Sequence, residues 1–213
     1  LHQADWISGR LIGRFGLADE NNVLKLGYDP VNRRWPQWLS RLPLSPQMLP
    51  VVHPVGTRLG IVSTHVARDL GLPRDVVVVA GTTESNAATL AAGVNVPGDA
   101  VTSLGSTLVL KLFSDTPLTS TRYGIYSHRI GDGWLTGGAS NSGGAVLRHH
   151  FSDAEIAQLS LQMDPDKPLD LGYYPLPGVG ERFPRSDPSM RGKMQPRPES
   201  RRDFLQAILE GIA

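Results

Sequence analysis

The spacing of apolar and polar residues predicts four helices. Apolar side chains recur at helical intervals within residues 1–16, over 63–70, over 152–163 and from Arg202 onward. Glycine and proline follow the second segment, and Ser-Asp-Ala-Glu at the start of the third is a capping box, so both have local signals that begin or end a helix. The first helix is expected to end at Gly13 or shortly after it.

The remaining apolar runs predict strands and hairpins. Four consecutive valines, Val76–Val79, predict a fully buried strand, and residues 55–62 predict a short strand pair about a turn. Apolar runs on both sides of Gly105, and again on both sides of Gly131–Gly133, predict two hairpins. Residues 164–202 are rich in proline, glycine and arginine, and they predict a long surface loop with one short strand.

Composition narrows the class of protein. The chain has 213 residues, of which 40% are hydrophobic, enough for one large or two small domains. A net charge of +1 gives no global attraction to nucleic acid or an anionic membrane, and the lack of cysteine excludes disulfides and thiol catalysis. We expect a soluble protein of the cytoplasm or of an organelle such as a plastid. Both termini fall inside predicted helices, so we expect a piece of a longer protein rather than a domain with frayed ends.

A carboxylate follows the valine strand directly. Gly81, Thr82 and Thr83 predict a turn, and Glu84 stands where a helix of small residues over 85–92 begins. Strand ends of α/β proteins deliver catalytic groups into a crevice, and a general base needs such a rigid support. A carboxylate in the first turn of a helix also complements the helix dipole, which is worth about 0.3–1 kcal/mol. Residue spacing alone leaves both interpretations of Glu84 open.

A second turn combines glycine with two hydroxyls. Gly105, Ser106 and Thr107 lie between two apolar runs. Glycine lets backbone N–H groups approach phosphate oxygens, and the hydroxyls are further donors. Without context an ordinary hairpin turn is the simpler interpretation. The chain contains no Gly-Lys-Ser or Gly-Lys-Thr, so this is not a Walker A loop.

Three other features are weaker candidates. The glycine-rich stretch 137–144 resembles an anion-binding loop before a helix, but a flexible crossover explains it equally well. His149 and His150 are adjacent and point to different sides of a helix, and no pair of histidines has metal-ligand spacing, so metal binding through histidine is not predicted. The basic residues between 182 and 202 alternate with acids and lack interleaved aromatics, which favours a solvated face over a nucleic-acid site.

Several short segments, taken in order, resemble one family. They are Ala4-Asp5-Trp6-Ile7-Ser8-Gly9-Arg10-Leu11, Leu49-Pro50-Val51-Val52, Val78-Val79-Ala80-Gly81-Thr82-Thr83-Glu84, Ser103-Leu104-Gly105-Ser106-Thr107, Tyr174-Pro175-Leu176 with Gly180-Glu181-Arg182-Phe183-Pro184, and Ala207-Ile208-Leu209-Glu210-Gly211-Ile212-Ala213. In this order and spacing the chain resembles the FGGY-family carbohydrate kinases. It is most similar to their pentulose kinases, the xylulokinase and D-ribulokinase group.

The resemblance implies a fold and a domain division. The implied fold is α/β, with two actin-like (ribonuclease-H-like) domains that hold ATP and sugar between them, here represented only by the central portion. Residues 1–98 would be the second half of the sugar-binding domain, which carries the catalytic base. Residues 99–213 would be the first half of the ATP-binding domain.

The resemblance also implies a site. Glu84 falls where the family has the catalytic aspartate that takes the proton from the sugar hydroxyl. Gly105, Ser106 and Thr107 fall on a loop that resembles the second phosphate-binding motif. The implied ligands are ATP, Mg²⁺ bridging its phosphates, and a ketopentose such as D-ribulose or D-xylulose, with no nucleic-acid or membrane partner.

Two departures from the family pattern qualify these implications. The opening Asp-x-Gly-Thr motif and the later adenosine-binding glycine motif do not occur in these 213 residues, so this chain alone is expected to have no measurable turnover. Glu84 replaces the family aspartate, and the extra methylene moves the carboxylate by about 1.5 Å. Glu84 is therefore either a working base in a shifted pocket or the mark of an impaired enzyme. The alternative function is a non-catalytic scaffold of the same fold that binds a sugar or nucleotide.

Overall fold

The chain combines helices with short strands: the two are interspersed in the first half, and four strands are followed by three helices in the second. The computed structural model describes residues 2–213. The helices are α1 (Gln3–Ile12), α2 (Thr64–Leu70), α3 (Glu84–Ala91), α4 (Gly144–His150), α5 (Asp153–Ser160) and α6 (Arg201–Ile212). The strands are β1 (Leu17–Asp19), β2 (Val51–His53), β3 (Arg58–Ile61), β4 (Val77–Val79), β5 (Ala100–Leu104), β6 (Leu108–Ser114), β7 (Tyr126–Ile130) and β8 (Gly133–Ser140). Short 3₁₀ helices cover Asn22–Leu26, Gln37–Arg41 and Pro46–Met48.

Residue contacts divide the chain into two units. The first unit runs to Pro97 and includes 113–117 and 128–135. The second unit contains residues 98–112, 118–127 and 136–213. The assignment of residues 1–98 and 99–213 to halves of a sugar-binding and an ATP-binding domain stays a prediction.

Local sequence signals explain the helix ends. His2 and Asp5 form a capping box at the start of α1, and Gly13 ends this helix with a φ of +76°. Ser152 and Glu155 form the predicted capping box of α5. All four helices predicted from apolar spacing are present, because these signals depend only on residues a few positions apart.

Strand pairing in the first unit differs from the prediction. β1 pairs in parallel with β2, with Leu17 opposite Val51. β3 pairs antiparallel with β4, with Ile61 opposite Val77. The predicted strand pair within 55–62 is therefore wrong: this segment supplies one strand, and its partner is the valine strand.

The valine strand is not fully buried in this chain. Val77 is 45% exposed and Val79 is 48% exposed. Four valines ensure an extended, apolar segment, but burial on both faces needs neighbouring strands and covering helices. Among the described residues β4 pairs with β3 alone, so the sequence prediction of a fully buried strand is corrected.

The second half of the chain forms a four-stranded sheet in the order β5-β6-β8-β7. β5 and β6 form the predicted antiparallel hairpin, with Leu104 opposite Leu108. β7 and β8 flank the predicted Gly131–Gly133 turn. The loop that precedes α6 contains isolated bridges from Tyr174 to Lys193 and from Glu181 to Asp187, not the predicted short strand.

Each unit has its own apolar cluster. In the second unit, α6 supplies most of the core, with Phe204, Leu205 and Ile208 at most 2% exposed. Phe151 and Tyr173 pack around Phe204 at ring-centroid distances of 5.8 and 6.3 Å. In the first unit a smaller cluster contains Ala18, Val23 and Tyr28, against which Trp35 and Val52 pack.

Two arginines of the basic stretch contribute to packing. The Arg197 guanidinium lies 4.1 Å from the centroid of the Phe204 ring, and that of Arg201 lies 4.6 Å from Phe151. Arg201 also donates to Glu155 at 2.7 Å. The predicted solvated face therefore includes cation–π contacts with core aromatics.

Candidate functional site

Glu84 is the first residue of α3, immediately after the turn that follows β4. Its side chain is exposed, and no described residue forms a hydrogen bond or ion pair with it. Thr83 occupies the N-cap position without a side-chain cap hydrogen bond. The carboxylate is thus accessible at a helix N-terminus, a position that suits both a general base and a charge that complements the helix dipole.

The turn that carries Glu84 is held by Thr82. The Thr82 Oγ1 accepts a hydrogen bond from Asn21 Nδ2 at 2.9 Å and another from Asn86 Nδ2 at 3.2 Å. Asn21 and Asn86 are 1% and 0% exposed. These two hydrogen bonds attach the turn to Asn21, which follows β1, and to Asn86, which lies in the first turn of α3.

A buried carboxylate orients Asn21. Asp19, 3% exposed, accepts the backbone N–H groups of Asn21 and Asn22 at 3.0 and 2.8 Å and the Asn22 side chain at 2.8 Å. The Asn21 amide also donates to the Arg129 carbonyl at 3.1 Å. Sequence reasoning missed this cluster. The signal was the polar run Asp19–Asn22 directly after an apolar segment, which is unusual for a buried strand end.

The Gly105-Ser106-Thr107 turn joins β5 to β6 in the second unit. Gly105 and Ser106 are exposed, and no described residue forms a hydrogen bond with the Ser106 or Thr107 hydroxyl. The Gly105 and Ser106 carbonyls accept the backbone N–H groups of Gly144 and Ala145 at 2.8 and 3.1 Å. The turn is thus a hairpin turn anchored on α4, with two hydroxyls available to a ligand.

The stretch 137–144 is not the anion-binding loop that its glycines suggested. Gly137 and Gly138 lie within β8, and the Gly144 and Ala145 N–H groups already donate to the hairpin turn. A Cβ at Gly143 would lie 2.7 Å from Thr107 backbone atoms. The glycines at 143 and 144 therefore allow α4 to approach the hairpin turn closely, which leaves neither first-turn N–H group free for an anion.

Comparison with known sequences identifies sugar kinases as relatives. No protein-family model matches the chain. A gluconokinase from Bacillus subtilis (strain 168) is 25% identical over 168 residues, covering 70% of this chain and 33% of the relative. A xylulose kinase from the same strain is 28% identical over 164 residues, covering 72% and 33%. The aligned part of this chain thus spans about a third of each relative.

Solved structures of sugar kinases match the fold of this chain along its full length. A xylulose kinase from Brucella ovis matches with a TM-score of 0.82 and 23% identity, covering 100% of this chain and 46% of that one. A gluconate kinase from Lactobacillus acidophilus matches with a TM-score of 0.82 and 18% identity, covering 100% and 45%. The chain has the fold of the FGGY-family sugar kinases. The predicted resemblance and fold class, a central portion of this larger fold, are confirmed at the level of the fold.

The Gly180-Glu181-Arg182 segment of this sugar kinase fold is an internal anchor. Glu181 is 3% exposed and accepts hydrogen bonds from Ser140 Oγ at 2.6 Å and from the backbone N–H groups of Asn141 and Arg182, both at 2.7 Å. Tyr174 OH donates to the same carboxylate at 2.9 Å. Sequence analysis noted this segment only as part of the family resemblance.

The hydrogen bonds determine how these groups ionise. Burial alone raises the pKa of Glu181, but the hydrogen bonds from Ser140, Asn141 and Arg182 outweigh it, so its pKa lies below the usual 4.5. Burial, together with the hydrogen bond to Glu181, raises the pKa of Tyr174 to about 12. The carboxylate is therefore ionised in the fold and serves as an acceptor.

The described residues include no group of three or more metal-ligating side chains. The exposed Gly105 turn, with its two hydroxyls, offers donors that a phosphate group could use. A glycerol kinase from Plasmodium falciparum solved with ADP has the same fold, with a TM-score of 0.76 and 16% identity, covering 98% of this chain and 44% of that one. None of the helices in the described part of the chain is long and apolar enough to cross a membrane.

Proposed function

We propose that this chain is the central part of a carbohydrate kinase that transfers the γ-phosphoryl group of ATP to a hydroxyl of a ketopentose, D-ribulose or D-xylulose. The fold shared with sugar kinases supports the reaction class, and the curated xylulose kinase relative supports a pentulose as substrate. The gluconokinase relative makes gluconate the first alternative acceptor to test.

One observation carries the proposal: an exposed carboxylate stands on a turn that is anchored in the protein interior. Glu84 is accessible to a substrate hydroxyl, while Thr82, two residues earlier, is held by two buried asparagines. In the proposed reaction Glu84 orients the acceptor hydroxyl and accepts its proton as the oxygen–phosphorus bond forms. Such a role needs both access and a fixed position.

Gly105, Ser106 and Thr107 would hold the phosphates of ATP through their backbone and hydroxyl groups. Mg²⁺ bound to ATP would neutralise charge on its phosphates.

The test is an assay that couples ADP release to NADH oxidation, run on the complete gene product with D-ribulose, D-xylulose, gluconate and glycerol. We expect sugar-dependent ADP release with one of the pentuloses. Glu84→Gln should lower kcat by about 10²–10⁴-fold, the usual contribution of a general base. Absence of acceptor-dependent turnover with all four compounds would contradict the proposal.

A second candidate is a non-catalytic member of the fold that binds sugar or nucleotide as a scaffold. It is favoured by Glu84 standing where the resemblance implies aspartate. In that case the complete protein would be inactive while still binding ATP or sugar in calorimetry, and Glu84→Asp would restore turnover.

A further inference from the structure

We infer that Asn21 and Asn86 act as positioning residues for Glu84, through the hydroxyl of Thr82. This inference rests on the proposed function of Glu84 as the base. The three side chains, here termed the Thr82 clamp, connect the end of β1, the turn after β4 and the first turn of α3. None of them would touch the substrate in this role.

The clamp uses the full acceptor capacity of one hydroxyl. Thr82 Oγ1 has two lone pairs and accepts one amide N–H from each asparagine, at 2.9 and 3.2 Å. The Asn21 amide uses its second proton on the Arg129 carbonyl at 3.1 Å. Because both N–H bonds of Asn21 are engaged, its side chain cannot rotate away from Thr82 without breaking two hydrogen bonds.

The clamp supplies the shorter side-chain hydrogen bonds of the turn, beside a contact of 3.5 Å between the Thr83 and Ser85 hydroxyls. Thr83 forms no N-cap hydrogen bond, so α3 begins without the usual side-chain cap. Thr82 precedes Glu84 by two residues and Asn86 follows it by two. The hydrogen bond between these two side chains therefore closes a short loop of the chain that contains Glu84. A shift of the turn would move Glu84 directly.

A purely structural role does not explain why two asparagines are buried at these positions. Both are at most 1% exposed, yet the Oδ1 atom of each is buried without a hydrogen-bond partner among the described residues. A buried acceptor without a partner destabilises a fold, and native proteins concentrate such costs at functional positions. Each asparagine instead forms its side-chain hydrogen bonds through its amide N–H groups, and one N–H of each donates to Thr82.

The test compares matched variants of the complete gene product. Thr82→Val keeps the side-chain shape and removes the acceptor, and Thr82→Ser keeps the hydroxyl. The control is Thr89→Val: Thr89 lies on α3 and is 2% exposed, and its hydroxyl donates to the Ser85 carbonyl at 2.8 Å. Thr82→Val loses two hydrogen bonds and Thr89→Val loses one, all within the first unit, but only Thr82→Val releases the turn.

We expect Thr82→Val to lower kcat by roughly 100-fold, the effect of about 1 Å of misplacement, with KM for ATP unchanged. Thr82→Ser should retain kcat within about threefold, and so should Thr89→Val. Equal losses of kcat in Thr82→Val and Thr89→Val would overturn the inference, as would full activity of Thr82→Val.

A second measurement does not depend on turnover. Amide hydrogen exchange of the segment 82–92 should be roughly tenfold faster or more in Thr82→Val than in wild type, and near wild type in Thr89→Val. Wild-type protein without sugar-dependent ADP release would refute the proposed function. Unchanged exchange in Thr82→Val would refute the clamp whatever the activity.

Discussion

The buried Glu181 carboxylate offers a quantitative test of the second unit. Replacing Glu181 with leucine leaves five donors without their acceptor: the Ser140 and Tyr174 hydroxyls and the backbone N–H groups of Asn141, Arg182 and, at 3.4 Å, Phe183. The hydroxyls can rotate toward other acceptors, whereas the three backbone N–H groups cannot, and two of these form the short bonds of 2.7 Å. At about 1–3 kcal/mol for each unsatisfied group, less the recovered cost of burying a charge, we expect a destabilisation of about 3 kcal/mol.

Glu181→Gln is the milder variant, since it keeps one oxygen for the backbone N–H groups. We expect it to lower the free energy of unfolding by about 1 kcal/mol. The pKa of Glu181 is lower in the fold than its usual 4.5, so its stabilisation is present above pH 4.5 and is lost as the pH falls through the folded pKa. The difference in unfolding free energy between wild type and Glu181→Gln should therefore shrink below pH 4.5.

The assay must report on the second unit. The tryptophans, Trp6, Trp35, Trp38 and Trp134, belong to residues assigned to the first unit, so their fluorescence is unsuitable. Urea unfolding followed by far-UV circular dichroism, with hydrogen exchange of the α6 segment, is the appropriate measurement. Glu199→Gln, at an exposed position, is the control. A Glu181→Leu variant as stable as wild type would refute the anchoring role.

Two further predictions concern the same unit. Gly143→Ala should lower the free energy of unfolding in urea by about 1–3 kcal/mol, since the added Cβ would lie 2.7 Å from Thr107 backbone atoms. Gly178→Ala, whose Cβ would have nothing within 4 Å, is the control and should be neutral. Equal stability of the two variants would contradict the packing argument. Burial lowers the pKa of Lys111 from 10.5 to about 8, so wild type should gain stability relative to Lys111→Met as the pH rises from 8 to 10.5. A pH-independent difference in unfolding free energy between these two proteins would show that Lys111 stays charged in the fold.

The candidate site could be predicted only in part. The position of Glu84 after a strand and at the start of a helix is confirmed, since a valine run and a glycine turn are local signals. Its role as base, and the role of Gly105–Thr107 in binding phosphate, stay predictions. The glycines at 137–144 left an anion-binding loop and a flexible crossover equally open, because the same residue type serves close packing and ligand approach alike.

Sequence by itself determined the elements whose causes are local. The capping boxes of α1 and α5, the glycine that ends α2 and the apolar face of α6 each depend on residues within a few turns of one another. Only the tertiary structure decided which strands of the first unit pair, how far β4 is exposed, and which groups hold the Glu84 turn. Asn21 meets Thr82 across 61 positions and Arg129 across 108, and no local pattern encodes contacts over such separations. They form only when the packing of whole elements brings the ends of distant segments together.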